Sequence, residues 1–237
     1  MNGGYGMNSG FFNYDGPFFT VLNRISDLII LNLLWIVCSI PIVTIGASTT
    51  ALLYVTMKIL RGEDAYIAKN FFKSFKENFL QSTIIWLIML AVGAVLLGNY
   101  LFLPNMNLPN FLYTMFFSAS CFTALLYSMV LMYLFPLQAR LENKIKHTFK
   151  NALLLSFRHL PTTIVLILLV YVTIYLSWWH FAKLFYIVIL FAVSGIAMVC
   201  SILYNRMFDI YLKPVENSDE MEEIEESEAD EYREKEE

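Results

Sequence analysis

Charge is missing from five long stretches of this 237-residue chain: Leu28 to Ile45, Thr83 to Leu103, Phe111 to Phe135, Pro161 to Trp179 and Leu184 to Tyr204. Each approaches the roughly 20 residues that a helix needs to cross about 30 Å of hydrocarbon, which excludes an ordinary soluble domain. Cysteine is scarce as well. Cys38, Cys121 and Cys200 stand alone in the first, third and fifth stretches, with no C-x-x-C and no histidine beside them. That excludes a readable disulfide or thiolate-metal framework and leaves them as small apolar packing residues. There is no H-E-x-x-H, G-x-S-x-G or glycine-lysine phosphate loop, and no carboxylate lies inside the stretches. These absences leave no catalytic, cofactor or metal residue to name and no intramembrane proton relay. His180, beside Trp178 and Trp179, reads as part of an interfacial aromatic belt. The opening Met1 to Gly6 has no basic region before Leu28, so the first stretch is expected to act as its own insertion signal.

What is present is apolar surface: 58% of residues are hydrophobic and 16% aromatic. The expectation is an all-α polytopic helical membrane protein with five transmembrane helices in a membrane domain over residues 21–212. A Gly/Asn/Phe segment (1–20) precedes it and an acidic tail (213–237) follows. Residues 215–237 hold 13 acids and 2 bases, a net −11, whereas residues 1–214 hold 14 bases and 7 acids, a net +7. So acidic a tail, with so little apolar surface, is expected to be disordered and cytoplasmic. Lys58, Arg61, Lys69, Lys73 and Lys76 separate the first two stretches, and Arg140, Lys144, Lys146, Lys150 and Arg158 separate the third and fourth. Basic short loops stay inside, so five spans put the N-terminus outside. Arg24 argues the other way, and a re-entrant Ala47 to Leu60 restores an N-inside topology.

Two basic amphipathic helices are expected on the inner membrane surface. In the first, Phe71, Phe75 and Phe79 recur every four residues opposite Lys69, Lys73 and Lys76. The second contains Ile145, Phe149 and Ala152 against Lys144, Lys150 and Arg158. Each is followed by an outgoing span, a nearly uncharged turn and a returning span, so residues 67–136 and 143–206 read as an internal repeat. The bases would meet anionic membrane lipids, or Phe71, Phe72, Phe75 and Phe79 would anchor a partner protein. They are split between loops and form no groove for nucleic acid.

Leu31 to Ala47 is apolar yet contains Asn32, Pro41, Thr44 and Gly46. A proline break in hydrocarbon needs its freed backbone groups satisfied by neighbouring protein. Asn32 is expected to hydrogen-bond across helices, Thr44 to cover a freed carbonyl and Gly46 to allow a tight turn.

The runs Asp27 to Trp35, Ser39 to Ala47 and Thr50 to Leu52, with Phe71 to Phe79, Asn151 to Leu154 and Arg158-His159-Leu160-Pro161, are similar to the signature of the YesL family. The resemblance covers about residues 14 to 212. It implies a bacterial, typically Gram-positive, integral membrane protein linked to carbohydrate ABC importers, and it carries no catalytic residues. Phe157 to Pro161 is similar in outline to the coupling loop of importer membrane subunits, but lacks the acidic-Ala-Ala start and the internal glycine of that loop. The resemblance thus implies an accessory or regulatory plasma-membrane subunit near a permease, ATPase or binding protein. An independent small-solute transporter or channel is the alternative, and a membrane enzyme the third class. Homo-oligomer formation has no signal in the sequence.

Overall fold

The computed structural model describes residues 17–63, 66–106, 108–141, 144–179 and 193–210. The N-terminal segment up to residue 16, His180, the first part of the 184–204 stretch and the acidic tail lie outside the described residues. The chain is a multi-pass, all-α membrane protein. Its helices are α1 (Pro17–Ser39), α2 (Ile45–Leu60), α3 (Ile67–Phe102), α4 (Asn110–Arg140), α5 (Ile145–Arg158), α6 (Leu160–Trp179) and α7 (Val193–Ile210). Among the described residues, five helices are long and apolar enough to cross a membrane, or six if the bent pair α5–α6 counts as one span. Large exposed apolar side chains cover α3 beyond Ile84, α4 before Tyr127 and α6 beyond Leu160. Patches of that size belong against lipid.

The helices are cut differently from the uncharged runs. The run Leu28 to Ile45 is not one helix. α1 ends at Ser39 because Pro41 has no amide to donate, a short 3-10 turn covers Ile42–Thr44, and α2 begins at Ile45. α2 contacts α1 across this break: Trp35 Nε1 donates to Thr49 Oγ1 at 3.2 Å, although fourteen residues separate them. Ala47 to Leu60, expected as a connection or a re-entrant piece, lies in the most enclosed helix, with eleven of the sixteen α2 residues buried. Small residues from Gly46 to Ala51 let α3 approach closely, as they do between helices in lipid.

The first amphipathic stretch also differs from expectation. Residues 67–82 do not form a separate helix on the membrane surface. They are the first part of α3, a single helix of 36 residues and, at 1.5 Å per residue, about 54 Å. Nothing in Asn78 to Thr83 breaks a helix, so the basic segment continues the axis of the span. In the second unit α5 and α6 are separate and bent by 101°. Pro161 accounts for the difference, since it is accepted in the first turn of a new helix but not in the interior of an old one. The two units therefore share a sequence pattern and differ in shape.

The core lies at the basic end of the bundle, where α2 packs between the first half of α3, the end of α4 and α7. Leu31, Ala51, Val55, Phe71, Ile85, Tyr133, Leu134 and Leu166 are fully enclosed there. Buried polar pairs tie these helices together. Thr50 Oγ1 meets Ser82 Oγ at 2.9 Å, and Thr56 Oγ1 meets Ser201 Oγ at 2.7 Å. Asn205 Nδ2 donates to the Met57 carbonyl at 2.9 Å, and Asn32 Oδ1 accepts the Ser194 N–H at 3.2 Å.

Pro136 sits inside α4 and leaves the Met132 carbonyl without its usual partner four residues on. The Tyr204 hydroxyl of α7 donates to that oxygen at 2.6 Å. Tyr204→Phe is expected to destabilise the protein by about 1 kcal/mol or more, because a buried acceptor is orphaned. In a Pro136→Ala background the same change should cost less, since the alanine amide supplies the missing N–H. Thermal melts of the four proteins in detergent give this double-mutant cycle, and an equal cost in both backgrounds would contradict the repair.

Candidate functional site at the basic end of the bundle

Three local devices shape this end. The first is the elbow between α1 and α2. The Thr44 hydroxyl shares its one hydrogen between the carbonyls of Cys38 at 2.6 Å and Pro41 at 2.7 Å. Trp86 Nε1 of α3 donates to the Ile42 carbonyl at 2.8 Å. Gly46 follows, and a Cβ there would stand 2.5 Å from the Ser82 carbonyl oxygen, 2.6 Å from Trp86 Cβ and 3.2 Å from Phe135 Cε1. Gly46 thus lets α2, α3 and α4 converge at one level, and these contacts are all internal. Pro41 itself is exposed.

The second device is the α5–α6 corner. The Thr163 hydroxyl donates to the carbonyls of Ser156 and His159, each at 2.9 Å. With that hydrogen committed, the Tyr133 phenol donates to Thr163 Oγ1 at 2.9 Å. The corner places Arg158 and Pro161 on the outside and His159 half-buried between the two helices. Thr163 and Tyr133 are more central to this corner than the residues singled out from the sequence.

The third device is an amide network between α3, α4 and α5. Gln138 is 3% exposed. Its Nε2 donates to Gln81 Oε1 at 2.6 Å and to Asn78 Oδ1 at 3.3 Å, and its Oε1 accepts from Thr148 Oγ1 at 3.3 Å. Asn78 Nδ2 donates in turn to the Ser74 carbonyl at 3.1 Å. The network borders a cleft of about 600 Å³ between α2, α3 and the end of α4. Lys73 faces Glu77 at 4.0 Å on one side of the cleft, and Arg140 faces Asp209 of α7 at 3.9 Å. Gln81 and Gln138 escaped the sequence reading. The available signal was an uncharged polar residue at each border of an apolar run, Gln81 before Thr83 and Gln138 after Phe135.

The outer face of α3 mixes charge and rings. Lys69, Phe72, Lys73, Lys76 and Phe79 are exposed and share one side of the helix. Phe71 belongs to the core, fully buried, stacked on Phe75 at 6.2 Å, with Phe75 packed on Phe79 at 5.4 Å. Of the four phenylalanines expected as anchors, Phe72 and Phe79 supply exposed aromatic surface and Phe71 does not. At the α2–α3 turn, Gly62 takes a left-handed φ of 75° and a hydrogen bond from Arg61 holds the Glu63 carboxyl below the usual glutamate range. Among the described residues no three His, Cys, Asp or Glu side chains gather into a metal-binding group.

Residues 28–100 match a family described as a protein of unknown function, DUF624. The match spans the second half of α1, the elbow, α2 and nearly all of α3. No curated protein and no solved structure matches the chain.

Gly46→Ala should force α2 off α3 and lower stability by on the order of 3 kcal/mol, as overpacked cores do. Gly98→Ala, in the same bundle with open space around its Cα, should be neutral or slightly stabilising. Fluorescence-detected size exclusion after heating separates them, and equal survival of both variants would remove the steric account of the elbow.

Proposed function

We propose that this chain is an accessory or regulatory membrane subunit associated with a carbohydrate ABC importer in a bacterial plasma membrane. The observation that carries the reading is the outer face of α3, where Lys69, Phe72, Lys76 and Phe79 stand exposed on a rigid continuation of a span. Exposed rings interleaved with cations form a docking face of the kind that anchors a protein partner, and a solvated charge run would not need the rings. The resemblance to the YesL family supports the sugar-import context, and the runs that carry it from Leu28 to Phe79 fall within the matched residues 28–100. The permease or ATPase of the importer is the partner proposed for this face. Anionic headgroups would meet Lys146, Lys150 and Arg158 of α5, which are exposed beside Leu154 and Phe157.

The same reading sets the orientation. Basic connections lie inside, so the basic ends of α3 and α5 face the cytoplasm. We take α1 and α2 to double back at the elbow, as the bond from Trp35 to Thr49 across it favours, so that the chain enters α1 from the side on which α3 begins. We therefore place the N-terminus inside with the tail, in place of the outside position that a count of five spans gives. Arg24, ahead of the apolar part of α1, agrees with this orientation.

Two experiments test these readings. A tagged full-length chain, gently solubilised and folded, should co-purify with importer subunits, and Lys69→Glu with Lys76→Glu should lower the recovery about tenfold. A folded chain that never brings down an importer subunit sinks the association. For orientation, a protease-cleavable N-terminal tag should resist protease in intact cells and be cut after permeabilisation, and cutting in intact cells would return the N-terminus to the outside.

A further inference from the structure

We propose that the cleft between α2, α3 and α4 binds a small, uncharged, polyhydroxylated molecule. The inference rests on the cleft's own chemistry and stands apart from the importer association. Its volume, about 600 Å³, falls within the roughly 300–1,000 Å³ of small-molecule sites. Such sites are mostly apolar, whereas seven of the nine side chains lining this one are polar. An apolar ligand would strand those groups, and each buried polar group without a partner costs about 1–3 kcal/mol.

Charge narrows the choice further. Lys73 already faces Glu77, and Arg140 already faces Asp209, at 4.0 and 3.9 Å. A ligand with a full charge would meet a nearly balanced field, so nothing here selects an anion or a cation. What the cleft offers is a set of donors and acceptors side by side. Gln138 is held on both ends of its amide, and this turns the oxygens of Gln81 and Asn78 inward. Gln81 Nε2 makes no hydrogen bond among the described residues and is left as a donor, with the Glu77 carboxylate as acceptor and Arg140 as a second donor. Donors and acceptors set side by side match the vicinal hydroxyls of a polyol, each of which both donates and accepts. Tyr54 adds an aromatic ring to the wall, a surface for the C–H face of a sugar ring.

Hydroxyl chemistry of this kind comes from a free sugar or polyol, or from a lipid headgroup such as glycerol or a hexose. The cleft lies at the basic end of α3, beyond its apolar run, where either has access. The test uses the full-length protein in nanodiscs, with tryptophan-fluorescence melting and calorimetry. The panel is hexoses, hexose disaccharides and glycerol, then hexose 6-phosphates, then nanodiscs containing phosphatidylglycerol or a glucosyl diacylglycerol. A neutral panel member should raise the melting temperature, and Gln81→Leu or Glu77→Gln should weaken its binding at least about tenfold, which is 1.4 kcal/mol. Both variants alter exposed or half-exposed side chains, so their ligand-free melts report folding separately. Stabilisation by the hydroxylated lipids alone, lost in the same variants, supports the site and assigns it to a headgroup. Tighter binding of the phosphates than of the neutral sugars, binding indifferent to both substitutions, or no response to any panel member would overturn the proposal.

Discussion

Backbone carbonyls uncovered by proline inside an apolar bundle constrain this fold more than any other feature. In hydrocarbon an unpaired backbone group costs several kcal/mol, so a carbonyl left without its amide at a proline or a helix break needs a donor from elsewhere. Pro136 exposes the Met132 oxygen and Tyr204 of α7 covers it; beside Pro41, Thr44 serves the carbonyls of Cys38 and Pro41; beside Pro161, Thr163 serves those of Ser156 and His159. At each of these places the chain changes direction or binds a distant helix. The prolines stop α1 and separate α6 from α5, and the repairs hold those joints and set which face of α4 meets α7.

Between those joints the helices are held by shape and by modest polar contacts. Lipid chains are as apolar as leucine, so burying leucine in the bundle gains little, and close backbone approach matters more. Gly46 provides that approach at the one level where α2, α3 and α4 meet. The hydroxyl and amide pairs around α2, such as Thr50 with Ser82 and Thr56 with Ser201, contribute about 0.6 kcal/mol each by analogy with other membrane bundles. Their main effect is register, since a helix sliding by one residue would strand both members of a pair. Register in turn aligns Asn78 and Gln81 of α3 with Gln138 of α4, which builds the wall of the polar cleft.

Membrane class, the long spans and the second amphipathic helix were legible because they depend on local composition and period. Uncharged runs of about 20 residues need no tertiary information, and the stripe of Ala152 and Ser156 in α5 follows the 3.6-residue repeat. The standing of Ala47 to Leu60 was not legible. Its hydropathy is ordinary, and only its enclosure, with eleven of the sixteen α2 residues buried, shows that it is a central helix. Gln138 was hidden for a related reason, because a lone amide at the end of an apolar run looks like an interfacial residue until its three partners from two other helices converge on it. Phe71 and Phe72 are adjacent in sequence and both read as anchors, but the four-residue spacing runs through Phe71, which is core. Periodicity identifies the buried face of a helix, so it points away from the exposed one.

The bond from Tyr204 to the Met132 carbonyl joins residues 72 positions apart. A ribosome adds residues in order, so α4 is complete in the insertion machinery long before the hydroxyl that satisfies it has been synthesised. During that interval the carbonyl needs another partner, either water or a polar group of the insertase. The last helix therefore closes the assembly in time as well as in space, and a nascent chain lacking α7 would present quality-control proteases with an incompletely satisfied α4.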